Sequence, residues 1–146
     1  FCTLLEFANL FYILNSQQQQ HHARHSNLPK HMSETFTSDQ LAQFNGVAKP
    51  QIYLSVKGTV FDVTKGADFY GPGKSYGIFA GKEVSRCLGK MEINDKEANA
   101  GWRNLNEEHA TQMEEWYARF AAKYPVVGTF QPDPHFELRG VSYDPQ

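Results

Sequence analysis

Apolar residues alternate with polar ones in one stretch of the chain and recur at helical spacing in another. These two periods outline the architecture. Between residues 51 and 56, Ile52, Leu54 and Val56 share one face while Tyr53 and Ser55 share the other. Lys57-Gly58 follows, and residues 59–63 (TVFDV) run back, so the pattern predicts a β-hairpin. Further on, Ala110, Met113, Tyr117, Phe120 and Tyr124 step by three and four, which predicts a helix over 107–123. Asn106 is placed to cap it, Glu107 and Glu108 suit its first turn, and Pro125 ends it. Residues 126–130 (VVGTF) then read as a further strand.

Shorter elements fill the remainder. Thr37 and Gln40 have capping-box spacing, with Leu41 and Phe44 three apart behind them and Asn45-Gly46 as the stop. Residues 68–76 (DFYGPGKSY) form a Gly/Pro loop rich in aromatics. Residues 76–79 and 82–88 predict two short helical pieces separated by Ala80-Gly81, with Gly89 as C-cap. Residues 91–104 are polar, show no period and read as surface. Short helices, a hairpin and a terminal helix–strand unit make an α+β domain.

The ends differ from this middle. Residues 1–14 (FCTLLEFANLFYIL) are apolar but broken by Glu6 and Asn9, and a Gln17–Gln20 run with His21, His22, His25 and His31 follows. Such composition does not build a core, so 1–31 reads as a leader outside the fold, with the stub of a truncated membrane anchor as the alternative. The four histidines have no cysteine or carboxylate companions, which favours an incidental tract over a metal site. The folded domain is expected over 32–130. Residues 131–146, with Pro132, Pro134 and Pro145, read as a partly extended C-terminal tail.

Composition excludes several function classes. The 146 residues allow one compact domain. Lys plus Arg number 14 against 16 Asp plus Glu, a net charge of −2, so there is no basic field for nucleic acid. No run reaches the ~20 apolar residues of a membrane span. Two cysteines, Cys2 and Cys87, cannot make a disulfide framework. Gly71-Pro72-Gly73-Lys74 has neither the length nor the Ser/Thr of a phosphate loop. Between Met32 and Asn106 there is no histidine, which leaves only His109 and His135 for a catalytic pair. Cys87, beside Val84 and Leu88, reads as a buried small apolar residue. Glu114-Glu115 reads as a solvated helix face. No enzyme constellation emerges.

The tyrosines carry more information. Tyr70 and Tyr76 bracket the Gly/Pro loop, Phe69 and Phe79 flank them, and Lys123-Tyr124 ends the long helix. For an arbitrary sequence these rings simply fill a small core. A phenol with a pKa of about 10 becomes a ligand when something stabilises its anion, as ferric iron does. Tyrosinate is a known axial ligand of haem.

Residues 56–91 (VKGTVFDVTKGADFYGPGKSYGIFAGKEVSRCLGKM), with KYPVVG at 123–128, resemble the membrane-associated progesterone receptor family of cytochrome-b5-like haem/steroid-binding domains. The resemblance runs from about Phe36 to Thr129. The Phe-Asp-Val-Thr-x-Gly and Phe-Tyr-Gly-Pro…Tyr…Phe-Ala-Gly elements carry it together. It implies an α+β fold in which helical pairs wall a haem pocket over a small sheet. Cytochromes b5 use two axial histidines, one of them in a His-Pro-Gly-Gly loop. Here that loop reads Tyr70-Gly71-Pro72-Gly73, so no histidine is available in it. The family instead ligates iron through one tyrosinate, whose motif position falls on Tyr76. Its supporting pocket positions fall on Asp62, Tyr70, Lys123 and Tyr124. Tyr70 and Tyr124 would hydrogen-bond the ligand oxygen or the propionates, and Lys123 would supply positive charge. Asp62 has an equal alternative, capping the Thr64-Lys65-Gly66 turn. Where many members have Asp after the Phe-Ala-Gly-basic run, this chain has Glu83, which keeps the charge and changes the reach.

The resemblance implies non-covalent b-type haem held by a non-enzymatic regulator or haem carrier. The partners it implies are haem-thiolate monooxygenases of sterol metabolism, and a haem-stacked homodimer. The location it implies is the endoplasmic reticulum or another endomembrane surface, or the cytosol. Two alternatives stand beside it. One is a steroid or apolar-ligand module without obligatory haem. The other is a b5-type electron-transfer domain, which the missing histidines disfavour.

Overall fold

A computed structural model describes residues 34–143. The leader, with its histidines, and the last three residues lie outside the described residues. A four-stranded mixed sheet organises the chain. Strand β1 (Thr35–Thr37) leads into helix α1 (Ser38–Ala42), and β2 (Tyr53–Val56) turns into β3 (Thr59–Asp62). Helix α2 (Ala67–Tyr70), helix α3 (Ser85–Lys90) and the long α4 (Glu107–Lys123) follow. Strand β4 (Val126–Gln131) and helix α5 (Phe136–Tyr143) complete it. The strand order is β1-β4-β3-β2, with β1 parallel to β4 and the other pairs antiparallel.

Local chemistry explains the elements. Thr37 and Gln40 form the full capping box of α1. The helix stops at Ala42 after little more than one turn. Asn45 turns its side chain onto the amides of Val47 and Ala48 instead of extending the helix. At the β2–β3 hairpin both Lys57 (φ 52°) and Gly58 (φ 73°) are left-handed, as a two-residue turn matched to strand twist requires. A lysine is uncommon there. Its amide donates to Ser85 Oγ at 2.6 Å and the Gly58 amide to Glu83 Oε2 at 3.1 Å, so the turn is braced from outside. Asn106 caps α4 through His109 N at 2.8 Å.

Alternation along β2 and β3 divides the core. Leu54, Val56, Phe61 and Val63 face α2, α3 and α4, packing with Tyr70, Tyr76, Phe79, Trp116, Phe120 and Tyr124. Val60 and Tyr53 face the other way, among Phe36, Leu41, Phe130 and Phe136. The buried stripe of α4 is Met113, Trp116 and Phe120, with Tyr117 at its margin against Phe61.

Four expectations change. Helix α3 begins at Ser85, not 82, because residues 82–84 pair with β2: Ser55 N donates to Lys82 O and Val84 N to Ser55 O. Met91 at φ 57°, not Gly89, ends it. Gly89 lies inside the helix, where a Cβ would come within 2.8 Å of the His109 carbonyl on α4. The segment 91–104 is not simply surface: Glu97, Ala98 and Ala100 are buried. The stretch after 131 is not an extended tail as far as Tyr143. Helix α5 docks with Phe136 fully buried; a Cβ on Gly140 would collide with the Gly101 backbone, and one on Gly101 would come within 2.9 Å of Glu137 Cα. Hydrophobic periodicity is weak in an eight-residue helix held largely by one phenylalanine, so the prolines dominated the pattern.

Among the described residues, no helix is long and apolar enough to cross a membrane.

Candidate functional site

Three tyrosines converge at one end of the helical layer. Tyr70 is the last residue of α2, Tyr76 precedes the 3-10 turn Gly77–Phe79, and Tyr124 caps the end of α4. The chain between Tyr70 and Tyr76 folds on itself, with Gly71 N on Ala67 O, Lys74 N on Gly71 O and Tyr76 N on Phe69 O. That local closure brings the Tyr70 and Tyr76 rings to 6.2 Å between centroids. Tyr124 arrives from the far end of the fold at 6.4 Å from Tyr70. Phe120, one turn earlier on α4, touches both, at 6.2 Å from Tyr70 and 5.6 Å from Tyr124.

All three phenols are buried. The hydroxyls of Tyr70 and Tyr124 have no hydrogen-bond partner among the described residues. A buried hydroxyl without a partner carries a desolvation penalty of about 1–3 kcal/mol, so two together make this cluster the candidate place for a polar ligand atom. Burial pushes the Tyr124 phenol up to about 12. Burial raises Tyr70 well above its ordinary value, and any charge on Tyr124 or Tyr76 adds to the rise. Both groups therefore stay protonated and remain donors, and one phenolate in this cluster opposes a second.

Lys123 sits at the rim. Its Nζ lies 5.4 Å from the Tyr124 ring centroid and 5.9 Å from that of Phe69, and partial burial lowers its pKa. Asp62 is placed apart. It shares the face of Val60 and Tyr53, the opposite side of the sheet from Phe61. Its Oδ1 accepts from Thr64 N at 2.9 Å and from Thr64 Oγ1. Its carboxylate caps the turn. The structure thus gathers Tyr70, Tyr76, Tyr124 and Lys123, and leaves Asp62 to hold the turn that leads into α2.

Glu83 is also away from the tyrosines. It is fully buried and accepts from Ser55 Oγ at 2.5 Å, Ser85 N at 2.7 Å and Gly58 N at 3.1 Å. Burial raises its pKa and those hydrogen bonds oppose the rise. Cys87 is buried with its thiol pushed up to about 12 by burial, which removes it as a nucleophile at neutral pH. Sequence reasoning missed Gly66 and Phe120 as neighbours of the phenols. Phe120 was legible as core, but its ring contacts depend on where α4 ends relative to α2.

The residues fit a haem or a flat polar-edged ligand on two counts. They provide an oxygen donor set with no competing histidine in the loop, and two unpartnered donors beside it.

Known proteins give the same direction. The Cytochrome b5-like Heme/Steroid binding domain matches residues 37–130. The chain is 48% identical over 95 residues to the probable steroid-binding protein 3 of Arabidopsis thaliana, covering 64% of this chain and 94% of that one. It is 43% identical over 109 residues to membrane-associated progesterone receptor component 2 of Rattus norvegicus, covering 69% of this chain and 48% of that protein. It is 36% identical over 100 residues to the cytochrome P-450 regulator dap1 of Schizosaccharomyces pombe, covering 64% and 60%. The chain thus spans about half to three-fifths of the length of the latter two. The solution structure of a putative steroid-binding protein from Arabidopsis superposes with a TM-score of 0.63 at 44% identity, over 68% of this chain and 98% of that one. With the domain, the mixed sheet and the relatives agreeing, the chain belongs to the membrane-associated progesterone receptor family of cytochrome b5-like haem/steroid-binding domains.

Proposed function

We propose that this protein binds one b-type haem non-covalently, through Tyr76 as the single axial ligand, and acts without turnover as a regulator or haem carrier for partner enzymes. The observation that carries the reading is the pair of buried hydroxyls of Tyr70 and Tyr124, unpartnered among the described residues, with Tyr76 beside Tyr70. In this reading Tyr70 and Tyr124 donate hydrogen bonds to the ligating oxygen or to propionates. Lys123 sets a positive charge at the rim, where a propionate meets water. A haem held through phenolate oxygen supplies a ferric, low-potential centre with one open face. Tyr70, raised by burial, keeps its proton and so supports a phenolate on Tyr76 rather than competing with it.

The partner class is haem-thiolate monooxygenases, a reading supported by the name of the S. pombe relative. A second copy stacked on the open haem face and residence at an endomembrane surface belong to the same proposal.

Haemin added to the full chain tests it, with absorption spectra of wild type and Tyr76→Phe. A high-spin ferric spectrum that collapses in the variant supports tyrosinate ligation. Absence of uptake by wild type removes the reading. The second reading is a steroid or apolar-ligand module without obligatory haem. The relatives' names favour it, and steroid binding to haem-free protein separates the two.

A further inference from the structure

Gly66 ends the 3-10 turn Thr64–Gly66 and stands immediately before α2. Its backbone sits at φ −95° and ψ 26°, which side-chain-bearing residues also adopt. Backbone conformation therefore does not demand glycine here. Space does. A Cβ at this position would lie 2.7 Å from Tyr124 Oη and 3.2 Å from Tyr70 Cδ2. These are the two phenols whose hydroxyls lack a partner among the described residues. The Tyr124 ring packs against Phe120 and Tyr70, at 5.6 and 6.4 Å between centroids, and these two rings limit how its oxygen can withdraw.

We propose that Gly66 is a positioning residue of the ligand site: its missing side chain is the space that seats the Tyr124 hydroxyl against the Tyr70 ring. The proposal rests on the reading of these tyrosines as the ligand site. It adds a determinant of that site which touches no ligand itself. A methyl group at 66 leaves the turn intact and displaces the phenol oxygen, so the donor no longer points where the ligand needs it. Tyr124→Phe removes the atom that the methyl would meet.

The test uses four full-length proteins: wild type, Gly66→Ala, Tyr124→Phe and the double variant. Each is melted without ligand and titrated with haemin by absorption. Gly66→Ala is expected to melt lower, to bind haemin about tenfold more weakly and to shift the ferric bands. Tyr124→Phe is expected to raise the melting temperature of the Gly66→Ala protein and to lower haemin affinity only when Gly66 is present. Wild-type haemin affinity and bands in Gly66→Ala would overturn the proposal. So would additive melting shifts across the four proteins. If wild type takes up no haemin, the haem reading fails and the ligand role of Gly66 falls with it. The melting cycle then decides separately whether Gly66 seats the two phenols.

Discussion

Arg86 and Glu97 stand eleven positions apart in the chain, and Arg86 Nε donates to Glu97 Oε2 at 2.6 Å with both side chains closed off from solvent. Arg86 also donates through Nη1 to Gly101 O at 3.0 Å and to Asn104 Oδ1 at 2.8 Å, while Lys90 Nζ reaches Glu97 Oε1 at 3.1 Å. Asn104 in turn donates to Gly140 O on α5. One guanidinium therefore ties α3 to the 95–104 segment, and through it to the C-terminal helix. Removing the Glu97 charge strands Arg86 as a buried charge, and removing Arg86 leaves the buried Glu97 with Lys90 alone. Glu97→Gln or Arg86→Met should cost about 3–5 kcal/mol in urea unfolding, whereas Arg86→Met with Glu97→Leu should recover much of it. A single-variant loss below about 1 kcal/mol would show the pair to be solvated in solution.

Glu83 gives the second expectation. Its pKa is raised above the ordinary 4.5, so the folded state holds this proton more tightly than the unfolded state. The stabilisation from that proton is complete below pH 4.5 and is lost as pH rises through the folded value. The stability difference between wild type and Glu83→Gln should therefore move against wild type as pH increases from 4 to 7. Chemical denaturation across that range reads it, and a pH-independent difference would place the Glu83 carboxylate in water.

The tyrosines titrate in the alkaline range. Tyr70 and Tyr124 are raised by burial, Tyr124 to about 12. Their contribution to stability is intact below about pH 10 and falls as pH climbs toward the folded values. Absorbance of phenolate against pH should show a late phase from these two that coincides with loss of the fold. In Tyr70→Phe/Tyr124→Phe, the late phase should disappear.

Asp62 and Lys123 should separate cleanly. Asp62→Ala removes the cap on the Thr64 turn and is expected to cost about 1 kcal/mol of stability with haemin affinity unchanged. Lys123→Met is expected to leave stability within about 0.5 kcal/mol and weaken haemin binding several-fold, more at low ionic strength. The reverse pattern would move Asp62 into the site and Lys123 out of it.

Elements with strong local signals were legible. The capping box at Thr37, the hairpin at Lys57-Gly58, the Asn106 cap and the period of α4 each rest on residues within a few positions of one another. Local competition gave way to tertiary contact at Gly89, which looks like a C-cap but serves as the close approach of α3 to α4. The same holds at residues 82–84, whose helical spacing yielded to pairing with β2. The C-terminal helix was hidden because its hold depends on a glycine–glycine contact and on Arg139 Nε to Asn99 O at 2.8 Å, forty positions away.

The sequence by itself determined the α+β class and the family, which residue type and short spacing carry, and through that resemblance it pointed to Tyr70, Tyr76, Lys123 and Tyr124 as candidate site residues. Only the tertiary structure decided that Asp62 turns to the opposite face of the sheet, that Glu83 and Arg86 are buried and partnered, and that Gly66 lies against Tyr124. Those outcomes depend on which face of a strand meets which helix end. That geometry is set by packing between segments far apart in the chain, and no local spacing encodes it.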